Sequence, residues 1–385
     1  MKVLCIGHCA YDIICPVEAF PIENNKYRST ERIDSGGGSA SNAAYLLGKW
    51  GIETHMAGVV GSDDFGTKIK KELESVQVKT DHIETTYEKP TSVNFVIVNK
   101  SNGSRTVLSP VDKSYGQARK YEYAMNPDVI LIDGHEFTAS REALNRYPNA
   151  ISIIDADQST PEILELCKFV KYIVCSKNFA ETMAKTKVDY NDPKTLAILF
   201  QNLKNRFPNN EIVVTLEEKG ALYSINDEIK IMPGLNKQVK DTTGAGDIFH
   251  GAFAYGLLNR FPMEKCISYA NIAAGLSVDK IGTRMSMPSL SEVISIYNEK
   301  NPNVTASSSQ APIQSEPQQP VTPQATPTQS TPQTAAPQAP VAGQVTPQNA
   351  NSTINTMPQQ PVQQPTQNNS ATMAIPDELP DIPKN

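Results

Sequence analysis

The 385-residue chain has little tryptophan, with Trp50 alone, and only five histidines, none of which falls into a triad or metal-ligand spacing. Its six cysteines, at 5, 9, 15, 167, 175 and 266, include no C-x-x-C pair and no neighbouring histidine at metal-ligand spacing, which argues against a zinc site and a disulfide framework. They read as reduced, mostly buried thiols of a cytoplasmic protein. No stretch approaches the ~20 apolar residues that cross a bilayer, so a membrane is not an expected partner. The apolar start, Met1 to Gly7, breaks at His8 and Asp12 before a signal-peptide core could form. With a net charge of -6 and scattered basic residues there is no basic stripe, so nucleic acid is not an expected partner either.

A last absence marks a boundary. From Asn303 onward there is no Phe, Tyr or Trp, one basic residue (Lys384), and more than half of the 28 prolines, mixed with Gln, Thr, Ser and Ala. Such a segment cannot bury enough apolar surface to offset the backbone entropy of ordering, about 1–2 kcal/mol per residue. Residues 303–385 are therefore expected to be a disordered tail, a spacer or interaction segment whose partners the sequence does not reveal.

Within residues 1–300, short β-branched runs alternate with helical periodicity. Strands are expected at Val3–Ile6, Val129–Ile132, Ile151–Asp155, Tyr172–Cys175 and Ile212–Leu216, and helices at Ala40–Lys49, Gly66–Ser75, Pro193–Arg206, Ile248–Asn259 and Met263–Val278. The strands are apolar on both faces, so the fold class is α/β, with a central mostly parallel sheet covered on both sides. Two regions break the rhythm: residues 13–35, with polar alternation near Lys26–Ile33, and residues 91–109, a hairpin of Thr91–Asn99 and Arg105–Ser109. The Asn102-Gly103 pair predicts a hairpin turn with two residues at positive φ. Both regions are assigned to a small β lid, beyond the strand ends where α/β sheets bind ligands.

Two small-residue stretches run into helices. In Asp241-Thr242-Thr243-Gly244-Ala245-Gly246-Asp247 the backbone can approach a ligand closely, and amides at a helix start present donors and a positive dipole end. That suits a transferring phosphoryl group, with Asp247 able to take a hydroxyl proton. Asp247 would serve equally well as an N-cap. In Ser35-Gly36-Gly37-Gly38-Ser39-Ala40-Ser41-Asn42, three successive glycines predict a tight turn or close approach to a ligand, although a plain loop would also accept them. The second stretch is neither a Walker-type loop nor a dinucleotide fingerprint.

Gly36–Asn42 resembles the N-terminal signature of ribokinase-like (PfkB) carbohydrate kinases, and Asp241–Asp247 their C-terminal D-T-x-G-A-G-D signature, over residues 1–298. The resemblance implies a ribokinase-like three-layer fold over 1–300, with ATP, Mg²⁺ and in some members K⁺ as cofactors. It also implies transfer of the ATP γ-phosphoryl group to a hydroxyl of a small-molecule sugar, and a homodimer through the lid. Asp12, Gly37, Gly38 and Asn42 fall at substrate-binding positions, Asp247 at the catalytic base, and Gly244, Ala245 and Gly246 at the anion hole. Asn178-Phe179-Ala180-Glu181 is similar to the family's N-x-x-E motif, which implies nucleotide contact by Asn178 and an indirect role in Mg²⁺ binding for Glu181. Thr215, Glu217, Gly220 and Asn271 fall at nucleotide contacts, with Glu217 where the family more often has Gly. Asp241, Thr243, Gly282 and Ser286 lie near a monovalent-cation site. Arg105, in a hairpin that resembles that of ketohexokinase-like members, is implied to reach substrate and phosphates. Asp133-Gly134-His135-Glu136 and Asp155-Ala156-Asp157 are similar to that branch too, while Ser39 stands where ketohexokinases carry Asn. A nucleoside kinase of the same fold, or a non-catalytic sugar-binding regulator, fits the same signatures.

Overall fold

A computed structural model of the protein describes residues 1–29, 31–109, 123 and 125–302. The tail expected over 303–385 lies outside the described residues. In chain order, β1 (Lys2–Ile6), β2 (Ala10–Val17) and β3 (Ile33–Gly37) lead to α1 (Ser39–Lys49), β4 (Glu53–Gly61) and α2 (Asp64–Ser75). Then come β5 (Lys79–Thr86), β6 (Ser92–Asn99), β7 (Arg105–Leu108), β8 (Val129–Ile132), α3 (Phe137–Arg146), β9 (Ile151–Ala156) and α4 (Pro161–Leu166). β10 (Tyr172–Ser176), α5 (Lys177–Ala184), α6 (Pro193–Arg206), β11 (Glu211–Thr215), β12 (Ala221–Ile225) and β13 (Glu228–Met232) follow. The last helices are α7 (Ala245–Leu258), α8 (Met263–Ser277), α9 (Thr283–Ser286) and α10 (Leu290–Lys300).

The expected fold class holds. Nine strands form one sheet in the order β13-β12-β11-β10-β9-β8-β1-β4-β5, parallel from β11 through β5 and antiparallel at the β12 and β13 edge. Successive side chains of a strand point to opposite faces, and here each face meets its own core. Val3, Cys5, Val129, Leu131, Val174 and Val213 pack with α1, α7 and α8 on one side. Leu4, Ile6, Ile130, Ile132, Cys175 and Val214 pack with α3, α5 and α6 on the other. Burial on both faces is why these strands carry no polar alternation.

The lid is a second, four-stranded sheet in the order β3-β2-β6-β7, with β2 parallel to β6 and the outer pairs antiparallel. Its own small core is Ile14, Val96 and Val98. The N-terminal lid strands differ from expectation: they are Ala10–Val17 and Ile33–Gly37, whereas the described residues among 26–32 are in no strand and are exposed. Polar alternation there marks a solvated connection rather than a pleated one. The hairpin forms as expected, but only Gly103 has positive φ, at 71°, and the amides of both Asn102 and Gly103 donate to Asn99 O. The four-residue loop closes by this helical-type turn, so the second positive-φ residue is not required. All six cysteines are free thiols, and no described helix is long and apolar enough to cross a membrane.

Candidate active site

A cavity of about 1060 Å³ opens at the carboxyl ends of β1, β8, β9, β10 and β11 and under the lid strands β2, β6 and β7. It sits where the parallel strands end and the chain turns into loops, the usual ligand position of such sheets. Asp12, Gly38, Asn42, Arg105, Thr215, Thr243, Gly244, Gly246 and Asp247 all line it. Residues far apart in sequence are thereby gathered at one place.

The glycine loop is tight for identifiable reasons. A Cβ on Gly37 would collide with the Asp12 carboxylate, and one on Gly36 with the guanidinium of Arg284. Gly38, at φ 92°, begins α1 and leaves no room beside His8 O. α7 starts earlier than its periodicity suggests: Gly244, in the left-handed region at φ 72°, is the N-cap, and a Cβ there would strike Thr283. The first bond within the helix runs from Ile248 N to Gly244 O. Ahead of it, Ala245 N donates to Thr242 O at 3.3 Å, while Gly246 and Asp247 occupy first-turn positions whose N–H groups have no partner within a helix. Nothing lies within 4 Å of the Cβ position of Gly246. Of the amides expected to form an anion hole, that of Ala245 is thus partly committed to its own loop.

Asp247 does not cap α7. Its carboxylate turns aside instead, accepting a bond from Asn42 Nδ2 at 2.8 Å and another from Ser39. Burial raises its pKa above the ordinary carboxylate value, against the pull of Asn42, His250 and Arg105. Asp12, on β2, is also raised by burial, up to about 6, with Asn94 Nδ2 bonded to it at 2.7 Å. Arg105, on β7, donates from Nη1 to Thr242 Oγ1 at 2.8 Å, so the lid hairpin touches the loop ahead of α7.

Sequence reasoning passed over three neighbours. His250, one turn after Asp247, places Nδ1 2.6 Å from Gly246 O and Nε2 3.1 Å from Val174 O and 3.3 Å from Asp155 Oδ1. Both ring nitrogens face oxygen acceptors, surroundings that favour the charged imidazolium. Burial opposes that charge, yet Asp155 and the two carbonyls outweigh it and raise the pKa. The spacing of three from Asp247 on a helix was the available signal. Ser92 and Asn94, on β6, line the cavity with Ser92 Oγ and Asn94 Oδ1 buried and unpartnered. Their signal was alternation in a lid strand.

Several expected site residues are spent elsewhere. Asn271 is buried, and its Nδ2 donates to Met232 O and Pro233 O, so it fastens α8 to the end of β13 and is not on the cavity wall. Glu181 is held by Lys187 Nζ at 2.6 Å and Val188 N at 2.9 Å, and Asn178 precedes it on α5; neither lines the cavity. Glu217 adopts φ 56° and pairs with Lys177 at 2.8 Å. A left-handed backbone at this position explains a preference for Gly, and the loop keeps its shape with Glu at a cost of about 1 kcal/mol. Gly220, at φ 98°, packs against Met232 O, away from the cavity wall. Asp241 Oδ1 accepts from Thr243 N and Oγ1, and Oδ2 from Gly282 N, while Ser286 Oγ donates to Thr283 O. That network ties the loop before α7 to α9. Asp241 Oδ1 and Oδ2 and Ser286 Oγ, expected near a monovalent cation, are thus hydrogen-bonded within the protein. Among the described residues no group of three or more His, Cys, Asp or Glu side chains could cage a metal.

The family description "pfkB family carbohydrate kinase" matches residues 1–290. Ribokinase of Bacillus subtilis is 26% identical over 310 residues, covering 76% of this chain and 98% of that protein. A nucleoside kinase of Methanocaldococcus jannaschii is 23% identical over 304 residues, 76% of this chain and 95% of its own length. Among solved structures, Cryptococcus neoformans ribokinase in complex with ADP superposes with a TM-score of 0.67 at 23% identity, over 77% of this chain and 99% of that one. Arabidopsis thaliana ribokinase complexed with ribose and ATP gives 0.64 at 21% identity, over 77% and 97%. The chain belongs to the pfkB family of carbohydrate kinases, with a ribokinase-like fold, and is a phosphotransferase that acts on an alcohol acceptor.

Proposed function

We propose that residues 1–300 catalyse transfer of the γ-phosphoryl group of ATP to a hydroxyl of a small sugar, with Asp247 as the general base. The observation that carries this reading is the position of the Asp247 carboxylate: half-buried, turned away from capping, and beside the free first-turn amides of α7 in one cavity with Asp12 and Arg105. Asp12 and Asn42 hold the acceptor, and burial makes Asp247 a stronger base than an exposed carboxylate. The amides of Gly246 and Asp247, aided by the helix dipole, face the charge that spreads over the phosphoryl oxygens. Arg105 adds a forked cation from the lid. Mg²⁺ supplies charge neutralisation on the phosphates; with no protein cage among the described residues, nucleotide oxygens and water would hold it. Free, mostly buried thiols support a cytoplasmic setting. The exposed Phe95 and Leu108, paired across β6 and β7, support a homodimer through the outer face of the lid. Similarity to a nucleoside kinase favours a nucleoside as the second reading of the acceptor.

Coupled ADP release across free sugars, sugar phosphates and nucleosides tests both readings. Asp247→Asn is expected to lower turnover on the best acceptor by about 10²–10⁴-fold. Wild-type turnover by that variant would remove Asp247 from the reaction.

A further inference from the structure

Arg284 belongs to neither signature, yet it is 4% exposed and sits directly behind the site. From α9 its Nη1 donates to Glu72 Oε2 on α2 at 2.8 Å, its Nη2 to Ser41 Oγ on α1 at 2.7 Å, and its Nε to Asn42 Oδ1 at 3.3 Å. The guanidinium carbon also stands 5.0 Å from the centre of the Tyr45 ring. Glu72 Oε2 accepts Gly36 N at 2.8 Å as well, so the same ion pair anchors the glycine loop.

An asparagine amide has a donor end and an acceptor end, and a half-turn exchanges them. A guanidinium has no acceptor, so only Oδ1 of Asn42 can face Arg284. Nδ2 is left on the other side, 2.8 Å from Asp247 Oδ2.

We propose that Arg284 is a positioning residue for phosphoryl transfer: it pins Oδ1 of Asn42, so that Nδ2 meets the Asp247 carboxylate and keeps it ionised and aimed. The inference rests on the reading of Asp247 as the base. With the pin removed, Asn42 can turn Oδ1 toward Asp247, and acceptor facing acceptor favours the protonated acid. Burial already works in that direction, and Asn42 heads the contacts that oppose it, ahead of His250 on α7, Arg105 on β7 and Ser39 on α1. Asp12 on β2 and Asp155 on β9 face Asp247 as like charges. The balance at Asp247 therefore depends on which end Asn42 presents.

The test is the pH profile of kcat, measured with the full chain for wild type, Arg284→Gln, Asn42→Ala and the double variant. Arg284→Gln is expected to move the acidic limb upward by about one pH unit, a loss of roughly tenfold below the limb that is largely regained at high pH. In the Asn42→Ala background it should add no further shift, because the two act in series. A uniform loss at every pH with an unmoved limb would assign Arg284 a purely structural role. An equal extra shift in the Asn42→Ala background would show that it does not act through Asn42; either result overturns the proposal. If Arg284→Gln does not fold by circular dichroism, Glu72→Gln, which releases the guanidinium from α2, carries the same test. There a shifted limb upholds the pin and an unmoved one sinks it. Full turnover by Asp247→Asn would instead remove the base assignment itself.

Discussion

Replacing Gly246 by Ala should make the protein more stable and the enzyme worse. Gly246 is the second residue of α7, and a Cβ there meets nothing within 4 Å, so the methyl group enters without a clash. Glycine inside a helix costs roughly 0.5–1 kcal/mol relative to alanine, most of which the substitution recovers. For a domain of this size that is a rise in Tm of about 1–2 °C. The open space is also part of the cavity wall, beside the free amides. A methyl there would push a phosphoryl oxygen off those donors by about 1 Å, a displacement worth about 10²-fold in rate. Calorimetry and coupled ADP release on one preparation read both effects. Gly244→Ala is the contrast: it forces Ala into the left-handed region at φ 72° and a Cβ into Thr283, costing about 2–5 kcal/mol. A Gly246→Ala protein with undiminished kcat/KM for ATP would refute the seating of the phosphate at α7. One with a lower Tm would refute the reading of open space.

Three further outcomes are expected. Protonating Asp12 removes an acceptor for substrate hydroxyls, so kcat/KM for the acceptor should fall as pH drops below about 6, where its raised pKa lies; an Asp12→Asn protein should lack that limb. Asn271→Ala strips the donor from two carbonyls, Met232 O and Pro233 O, and should cost about 1–3 kcal/mol in urea unfolding, with kcat little changed because Asn271 is not on the cavity wall. Deleting residues 303–385 should leave kcat and KM within about twofold of the full chain, since the proposed kinase domain ends near residue 300; a collapse in ADP release would move that boundary.

Much of the architecture was legible because it depends on local periodicity. β8 and α6 begin and end where their apolar patterns do, and β1, β9, β10, α1 and α8 fall within a residue or two. β4 and β5 escaped notice: β4 mixes Glu53, His55 and glycines into a strand, and β5 is polar because much of it is exposed. Their pairing is set by β1 and by each other, not by their own composition. In the site, the two glycine-rich helix starts were visible because close backbone approach requires small residues at fixed spacing.

The sequence by itself determined the α/β class, the small-residue starts of α1 and α7, and the residue types able to take a proton and receive a phosphate. Only the tertiary structure decided which partners those residues keep. It set Asn42 against Asp247 across 205 residues and Arg284 behind Asn42 across 242. It also turned Asn271 and Glu181 to other work. The physical reason is that a side chain's charge state and orientation are set by burial and by hydrogen bonds from elements brought together only on folding. Local spacing can propose a carboxylate, but it cannot say what will face it.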